Sequence, residues 1–234
     1  MFLNISLEDD KAPVVENEKE IVIYVKIGDR AGLDQAFKKE EQFQGQIKTE
    51  VGSIRVRRTK NADESYKYEQ TTKVEQENTD VKTMREVTLE ITKEQYEQFL
   101  SVTPYYMDKV RYCFKAEQVS LTMDDKVVEL SPDDLIYEVD VFKDKDGNES
   151  EWCKIDVEIQ KLSAKLQTVF GENIPDVKMV VKVNQLPFKP NNFVLEDDSD
   201  NKDKKALIKS IYDTQFLIAN PALVKSDADS SNTE

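Results

Sequence analysis

The sequence predicts an α+β fold, an antiparallel eight-stranded closed or nearly closed β-barrel with helices packed outside. Segments in which apolar and polar residues alternate recur at short intervals between residues 20 and 160. Turn residues such as Asp124-Asp125 separate several of them. A few segments of helical composition fill the gaps, and no internal repeat is present.

The first predicted strand covers residues 20–27, EIVIYVKI, in which the residues alternate with the period of two that is typical of a β-strand. Later segments with period-two alternation, often bounded by turn residues, predict further strands at 53–59, 65–75, 85–92, 109–115, 119–123, 126–130, 135–143 and 151–160. Residues 177–186 are consistent with a last strand.

Helices are predicted where the two-residue alternation of apolar and polar residues stops and capping residues occur. The segment 30–42 has helical composition after a Gly-Asp pair. The segment 93–102 follows Thr92 as an N-cap, 161–171 ends at Gly171, and 206–218 follows a charge run at 196–205.

These elements divide the chain into three parts. Residues 1–19 are polar and irregular and predict a flexible N-terminal arm. Residues 20–220 form the single domain, and residues 221–234 predict a disordered acidic tail.

Composition excludes several classes of protein. With no histidine among 234 residues, the chain cannot build a serine–histidine triad or a histidine-based zinc site. A formal charge of -14 argues against general binding to nucleic acid or to anionic membrane. The two cysteines make no disulfide framework. No signal peptide or apolar run of about 20 residues is found, so we expect a cytoplasmic protein without a membrane span.

Charged residues are sorted by sign among the predicted strands. Cations gather on some strands as Arg55, Arg57, Lys73, Lys109 and Arg111, and carboxylates gather on the last two as Glu138, Asp140, Asp156 and Glu158. These side chains could simply face water, as on one side of many antiparallel sheets. If instead they face inward, the interior would suit a polyanion on the cations and a divalent metal on the carboxylates.

Five stretches, in order, resemble the CYTH superfamily, the triphosphate tunnel metalloenzymes. They are GSIRVRRT, YKYEQTTKV, REVTLEITKEQYEQFL, KVRYCF and YEVDVFKDKDGNESEWCKIDVEI. The resemblance covers roughly residues 20–160.

The resemblance implies a tunnel that binds a triphosphate-containing small molecule and hydrolyses it with Mg²⁺ or Mn²⁺. The five cations would bind phosphate, with Lys26 joining them, and the four carboxylates would hold the metal. Asp156, Glu158 and Lys26 would be catalytic, by charge neutralisation and orientation of water.

One strand departs from the family pattern. Val22 and Tyr24 stand where the family's first strand carries metal-binding glutamates. This favours an alternative, a catalytically impaired relative that binds nucleotide, polyphosphate or a protein partner without turnover. A third hypothesis is an acidic interaction module.

Overall fold

The computed structural model describes residues 13–28, 30–61, 63–75, 83–115, 119–123, 126–171, 190–196 and 202–224. Twelve strands are present in this part of the chain: β1 Val14–Ile27, β2 Lys38–Thr49, β3 Gly52–Lys60, β4 Tyr66–Glu75, β5 Thr83–Glu90, β6 Tyr105–Lys115, β7 Val119–Met123, β8 Lys126–Leu130, β9 Ile136–Lys143, β10 Glu149–Glu158, β11 Pro190–Glu196 and β12 Ile218–Ala219. The helices are α1 Lys93–Ser101, α2 Gln160–Phe170 and α3 Lys202–Ile211.

Ten strands form one antiparallel sheet in the order β10-β9-β6-β2-β3-β4-β5-β1-β11, with β12 beside β6. The long strand β1 pairs with β5 through residues 14–19 and with β10 through residues 20–26. No residue of β1 pairs with both β5 and β10, whereas residues 23–26 pair with both β10 and β11, so the sheet is not a continuous closed ladder. The predicted antiparallel α+β architecture is thus confirmed, while the predicted eight-stranded closed barrel is supported only in part.

One face of this sheet is apolar and is covered by two helices. Leu162 and Leu166 of α2 lie in a buried cluster with Ile23, Val139 and Ile155. Tyr96 and Phe99 of α1 pack on Val56 in a second cluster. Thr92 caps α1 as predicted, because its hydroxyl accepts the Gln95 amide N–H while the Gln95 side chain accepts the Thr92 N–H.

The opposite face carries the charged residues, and strand register shows that they are contiguous. Side chains directly opposite in a ladder share a face. Asp140 lies opposite both Lys154 and Arg111, Arg57 lies opposite Glu69, and Lys73 lies opposite Glu86. This ionic face therefore runs from β10 to β5, and its charges are turned away from the clusters under α1 and α2.

Several predicted elements require correction. The helix predicted at 30–42 is wrong, since a short 3-10 helix covers only Ala31–Gln35 and β2 begins at Lys38. A strand forms there because β3 and β6 supply backbone partners on both sides. Strand β1 begins at Val14, inside the segment predicted as an arm, because residues 14–19 pair with β5.

The C-terminal part also differs from the prediction. Strand β11 was not predicted, and the last helix begins at Lys202 and ends in a π-helical turn over Tyr212–Phe216. The strand predicted at 177–186 and the tail beyond residue 224 lie outside the described residues. No helix in the described ranges is long and apolar enough to cross a membrane.

Candidate ligand-binding cavity

A cavity of about 440 Å³ lies on the ionic face of the sheet. Its walls come from seven strands and from α3 with its π-helical turn. Tyr24 of β1, Met107 of β6 and Phe142 of β9 form an apolar wall, against which Ile208 of α3 packs. The ionic sides of these strands therefore do converge on one shared space.

The charge of this cavity is opposite to that of the whole chain. Six cationic side chains line it: Lys48, Arg55, Lys73, Lys154, Lys205 and Lys209. Among the residues that the structure describes there, Asp213 is the single carboxylate. The lining is therefore rich in cations for a chain of net charge -14, although Arg55, Lys73, Lys154 and Lys209 are paired with the carboxylates of Glu86, Asp156 and Asp213.

Arg55 and Lys73 are held on one wall by polar contacts between strands. Lys73 Nζ lies 2.7 Å from Glu86 Oε2, and Arg55 Nη2 lies 3.7 Å from Glu86 Oε1. Arg55 Nη2 also donates to Thr71 Oγ1 at 3.3 Å. Both cations are mostly buried, so their positions are set before any ligand arrives.

A second group of charges lies deeper, around Arg111. Its guanidinium contacts Glu138, Asp140 and Asp156, and Lys109 contacts Asp140. Burial alone would raise the pKa of Asp140, but Arg111 and Lys109 outweigh it and hold that pKa well below its usual range.

The same burial acts on Lys109. Removal from water, together with the charge of neighbouring Arg111, lowers the pKa of Lys109 to about 7, although Asp140 acts in the opposite direction. This group therefore combines a fixed guanidinium with an ammonium that is costly to keep charged.

Lys154 connects the two groups of charges. It lines the cavity, and its Nζ lies 2.6 Å from Asp156 Oδ1, while Asp156 Oδ2 is 3.5 Å from Arg111 Nη2. The network around Arg111 thus reaches the cavity wall through Lys154 of β10.

The predicted phosphate-binding residues do not all reach this cavity. Arg55 and Lys73 line it, whereas Arg57, on the same face, pairs with Glu69 at 3.1 Å. Lys109 and Arg111 contact the carboxylates described above. All five lie on the ionic face, and their predicted role in phosphate binding stays a prediction.

Lys26 and Glu158, two of the predicted catalytic residues, lie away from the described cavity lining. Lys26 Nζ bonds Glu151 Oε1 at 2.9 Å and lies over the Trp152 ring. Glu158 ends β10 with an exposed side chain. Their catalytic role is likewise untested by the structure.

Three of the four predicted metal ligands are engaged in ion pairs. Asp140, Asp156 and Glu138 each contact a lysine or arginine, and a hard cation would have to displace these groups. In the described ranges, no group of three or more Cys, Asp or Glu side chains is arranged to hold a metal ion. The carboxylates do not fit Mg²⁺ or Mn²⁺ while these ion pairs are intact.

The two atypical residues of the first strand have a structural role. Val22 and Tyr24 are buried with Trp152, and Phe216 covers them from the C-terminal segment. The Tyr24 and Phe216 rings are stacked with centroids 6.1 Å apart. These positions anchor the segment that follows α3.

Sequence reasoning missed the contribution of α3. Lys205, Ile208 and Lys209 are spaced i, i+3 and i+4, so they share the side of the helix that faces the cavity, and Ile211 is buried next to this side. This spacing could have predicted an amphipathic helix with cations on one side. It could not have predicted which face of the sheet the helix covers.

No protein-family model and no curated protein matches this chain. Two similar solved structures are described as "the hypothetical protein NE1496" and "the inorganic triphosphatase NE1496". Each is 20% identical and covers 81% of this chain, with 96% and 93% of the other chain matched and TM-scores of 0.35 and 0.36. Similarity this low assigns neither a family nor an activity.

Proposed function

We propose that the protein binds a triphosphate-containing small molecule in the cavity on the ionic face. The observation that carries this proposal is the convergence of six cationic side chains and one carboxylate, counted over the described lining, on one partly open cavity. The guanidinium group of arginine and the ammonium group of lysine form charge-assisted hydrogen bonds with phosphate oxygens.

The size of the cavity supports a compact anion as the ligand. A volume of about 440 Å³ is in the range of small-molecule sites. Partial burial of Arg55 and Lys73 lowers the local dielectric and strengthens their attraction to phosphate. The net charge of -14 of the whole chain opposes binding of a long polyanion that would extend beyond the cavity.

A second candidate function is metal-dependent hydrolysis of the same ligand, as the CYTH resemblance implies. The observation that favours it is the grouping of Glu138, Asp140 and Asp156 around Arg111, one lysine away from the cavity. Mg²⁺ or Mn²⁺ would need Asp156 and its neighbours released from their ion pairs. Binding without turnover is the simpler function for the geometry observed.

Binding is tested by calorimetric titration with inorganic triphosphate in EDTA, and by thermal denaturation of the same samples. At a ligand concentration about 100-fold above Kd, we expect about 2.7 kcal/mol of added stability. Lys205→Gln should weaken binding, because it removes a charge from the cavity wall. Lys202→Gln, at the exposed start of the same helix, is the matched control.

The outcomes separate the candidate functions. Binding in EDTA that Lys205→Gln weakens and Lys202→Gln leaves unchanged supports the proposal. Release of phosphate after addition of Mg²⁺ or Mn²⁺ adds the hydrolytic function. Absence of both heat and thermal shift with triphosphate overturns the proposal and favours an interaction module.

A further inference from the structure

A second cavity, of about 430 Å³, lies where β2 ends and β6 begins, beside the π-helical turn that follows α3. It is a neighbour of the cationic cavity, and several residues border both. Four residues of the described lining border only the second cavity: Ile47, Pro104, Tyr105 and Leu217. All four are apolar or aromatic, which makes this space an apolar cavity.

Carbon side chains form half of the described lining of the apolar cavity. They are Ile47, Pro104, Tyr105, Met107 and Leu217. Walls of this kind with few polar groups are typical of sites for organic ligands. Full transfer of one methylene group from water to such surroundings favours binding about fourfold, equivalent to about 0.8 kcal/mol. The apolar cavity therefore suits a ligand with a hydrocarbon chain or ring.

The backbone around this cavity is tied to the C-terminal segment, so the walls are formed before a ligand binds. Strand β12 pairs with the start of β6, where Ala219 lies opposite Tyr105. The buried Asn220 side chain donates to the Thr103 carbonyl oxygen at 3.0 Å, and the Asn220 N–H donates to the Pro104 carbonyl oxygen at 2.8 Å. Walls that are already formed reduce the cost of ordering the site when a ligand binds.

The charged residues of the described lining leave one net positive charge. Two lysines, Lys48 and Lys209, and one carboxylate, Asp213, border the apolar cavity. Lys209 is paired with Asp213, which lies one helical turn away. Lys48 Nζ instead lies 4.8 Å from the centroid of the Tyr212 ring, and no carboxylate in the described part of the chain is paired with it. One negative charge on a ligand would complement this arrangement.

We propose that the apolar cavity binds a small organic acid with one carboxylate and a hydrocarbon chain or ring, and that the carboxylate contacts Lys48. This site goes beyond the proposed function and does not depend on triphosphate binding. A ligand with several phosphates requires the larger set of cations in the neighbouring cavity, and an amine would be repelled by the net positive charge. A neutral alcohol would fill the apolar walls but would leave Lys48 without an anionic partner.

Calorimetric titration of the full chain in EDTA, with probes that differ in one feature at a time, tests this proposal. Butanoate, hexanoate and octanoate share the carboxylate and differ in chain length. We expect the affinity to rise about two- to fourfold for each added methylene group, because the chain replaces water along the apolar walls. Hexan-1-ol has the chain of hexanoate without the charge, and we expect it to bind about fivefold more weakly than hexanoate.

Variants distinguish the apolar cavity from the cationic one. Lys48→Gln should weaken hexanoate binding about fivefold, to the level of hexan-1-ol, because it removes the partner of the carboxylate. Lys205→Gln, at a lysine that borders only the cationic cavity, should leave hexanoate binding unchanged. Tyr105→Ala removes part of the apolar wall and should reduce the gain per methylene group. Tyr66→Ala, at another exposed tyrosine outside the described lining, should keep that gain.

The alternative results contradict the proposal in different ways. Absence of saturable heat with octanoate overturns it, as does an affinity that is independent of chain length or equal for hexanoate and hexan-1-ol. If Lys205→Gln weakens hexanoate binding as much as Lys48→Gln does, the acid lies in the cationic cavity and the assigned site is wrong. Should Lys48→Gln fail to fold, the chain-length series and Tyr105→Ala decide. Failure of triphosphate to bind would overturn the proposed function and leave this site standing.

Discussion

Asp140 accepts hydrogen bonds from both Nε and Nη2 of Arg111, at 2.7 and 2.9 Å. The pair joins β6 to β9, where these two residues lie directly opposite in the ladder. Asp140 also contacts Lys109, so one buried carboxylate is shared by two buried cations. Planar, two-point contact of this kind fixes the guanidinium in place more firmly than a single bond would.

The first prediction is that Asp140→Ala strongly destabilises the protein. Removal of the carboxylate leaves less negative charge to offset the positive charges of the buried side chains Arg111 and Lys109. Breaking a buried ion pair in this way costs about 3–5 kcal/mol. Urea unfolding followed by circular dichroism measures the effect. Asp146→Ala, in the exposed turn before β10, should change stability by less than about 0.5 kcal/mol. A loss from Asp140→Ala no larger than that of the control would contradict the assigned network.

The second prediction concerns pH. The folded-state pKa of Lys109 is lowered to about 7 from an ordinary value of 10.5. Between these values the unfolded chain binds a proton at Lys109 that the folded chain has lost, so the free energy of unfolding rises with pH. Lys109→Met removes this contribution, which is at most about 1.4 kcal/mol per pH unit.

Urea unfolding at pH 6.5, 7.5 and 8.5 would measure the slope for the wild type and for Lys109→Met. Lys161→Met, on the exposed side of α2, is the control and should keep the wild-type slope. If Lys109→Met has the same pH dependence as the wild type, the lysine is charged throughout this range and the prediction is wrong.

Sequence patterns predicted part of this network but not its pairing. Alternation placed Lys109 and Arg111 on one face of their strand, and Glu138 and Asp140 on one face of theirs. It could not show that β6 and β9 are neighbours, because strand order depends on the whole sheet. Three of the four carboxylates predicted as metal ligands, Glu138, Asp140 and Asp156, contact Arg111, which was predicted to bind phosphate.

Strand β2 shows a different limit of sequence reasoning. Its residues, KKEEQFQGQIKT, include lysine, glutamate and glutamine, which favour helices in isolation. Pairing with β3 and β6 on both edges overrides that preference, because β propensity depends on neighbouring strands. Gln46 and Lys48 of this strand line the cavity, and they lie beyond the predicted helix, where no element was predicted.

The third prediction is that Gly52→Ala disturbs the hairpin leading into β3. A Cβ atom at this position would lie 1.9 Å from the backbone oxygen of Lys73 and would force β3 and β4 apart. We expect a loss of about 1–3 kcal/mol in unfolding free energy. Triphosphate binding should weaken as well, since the Lys73 side chain lines the cavity.

Val51→Ala is the neighbouring control, because Val51 is 66% exposed and its truncation leaves the approach of the two strands unchanged. Wild-type stability and binding in Gly52→Ala would mean that the two backbones do not approach as closely as described.

The last prediction is that Phe216 anchors the C-terminal segment and thereby holds α3 over the cavity. Phe216 is fully buried, and its ring stacks on Phe142 with centroids 3.8 Å apart. Phe216→Ala removes this contact and should cost about 3–5 kcal/mol. Because Lys205 and Lys209 reach the cavity from α3, loosening the segment should also weaken triphosphate binding.

Limited proteolysis by trypsin distinguishes local release from global unfolding. In Phe216→Ala we expect faster cleavage within Lys202–Ile211, while the strands of the sheet stay resistant. Leu223→Ala, a change at a residue 48% exposed beyond the anchor, should be cut at the wild-type rate. Uniform acceleration of cleavage throughout the chain would show that Phe216 supports the whole fold, and unchanged cleavage in α3 would show that the helix is held by other contacts.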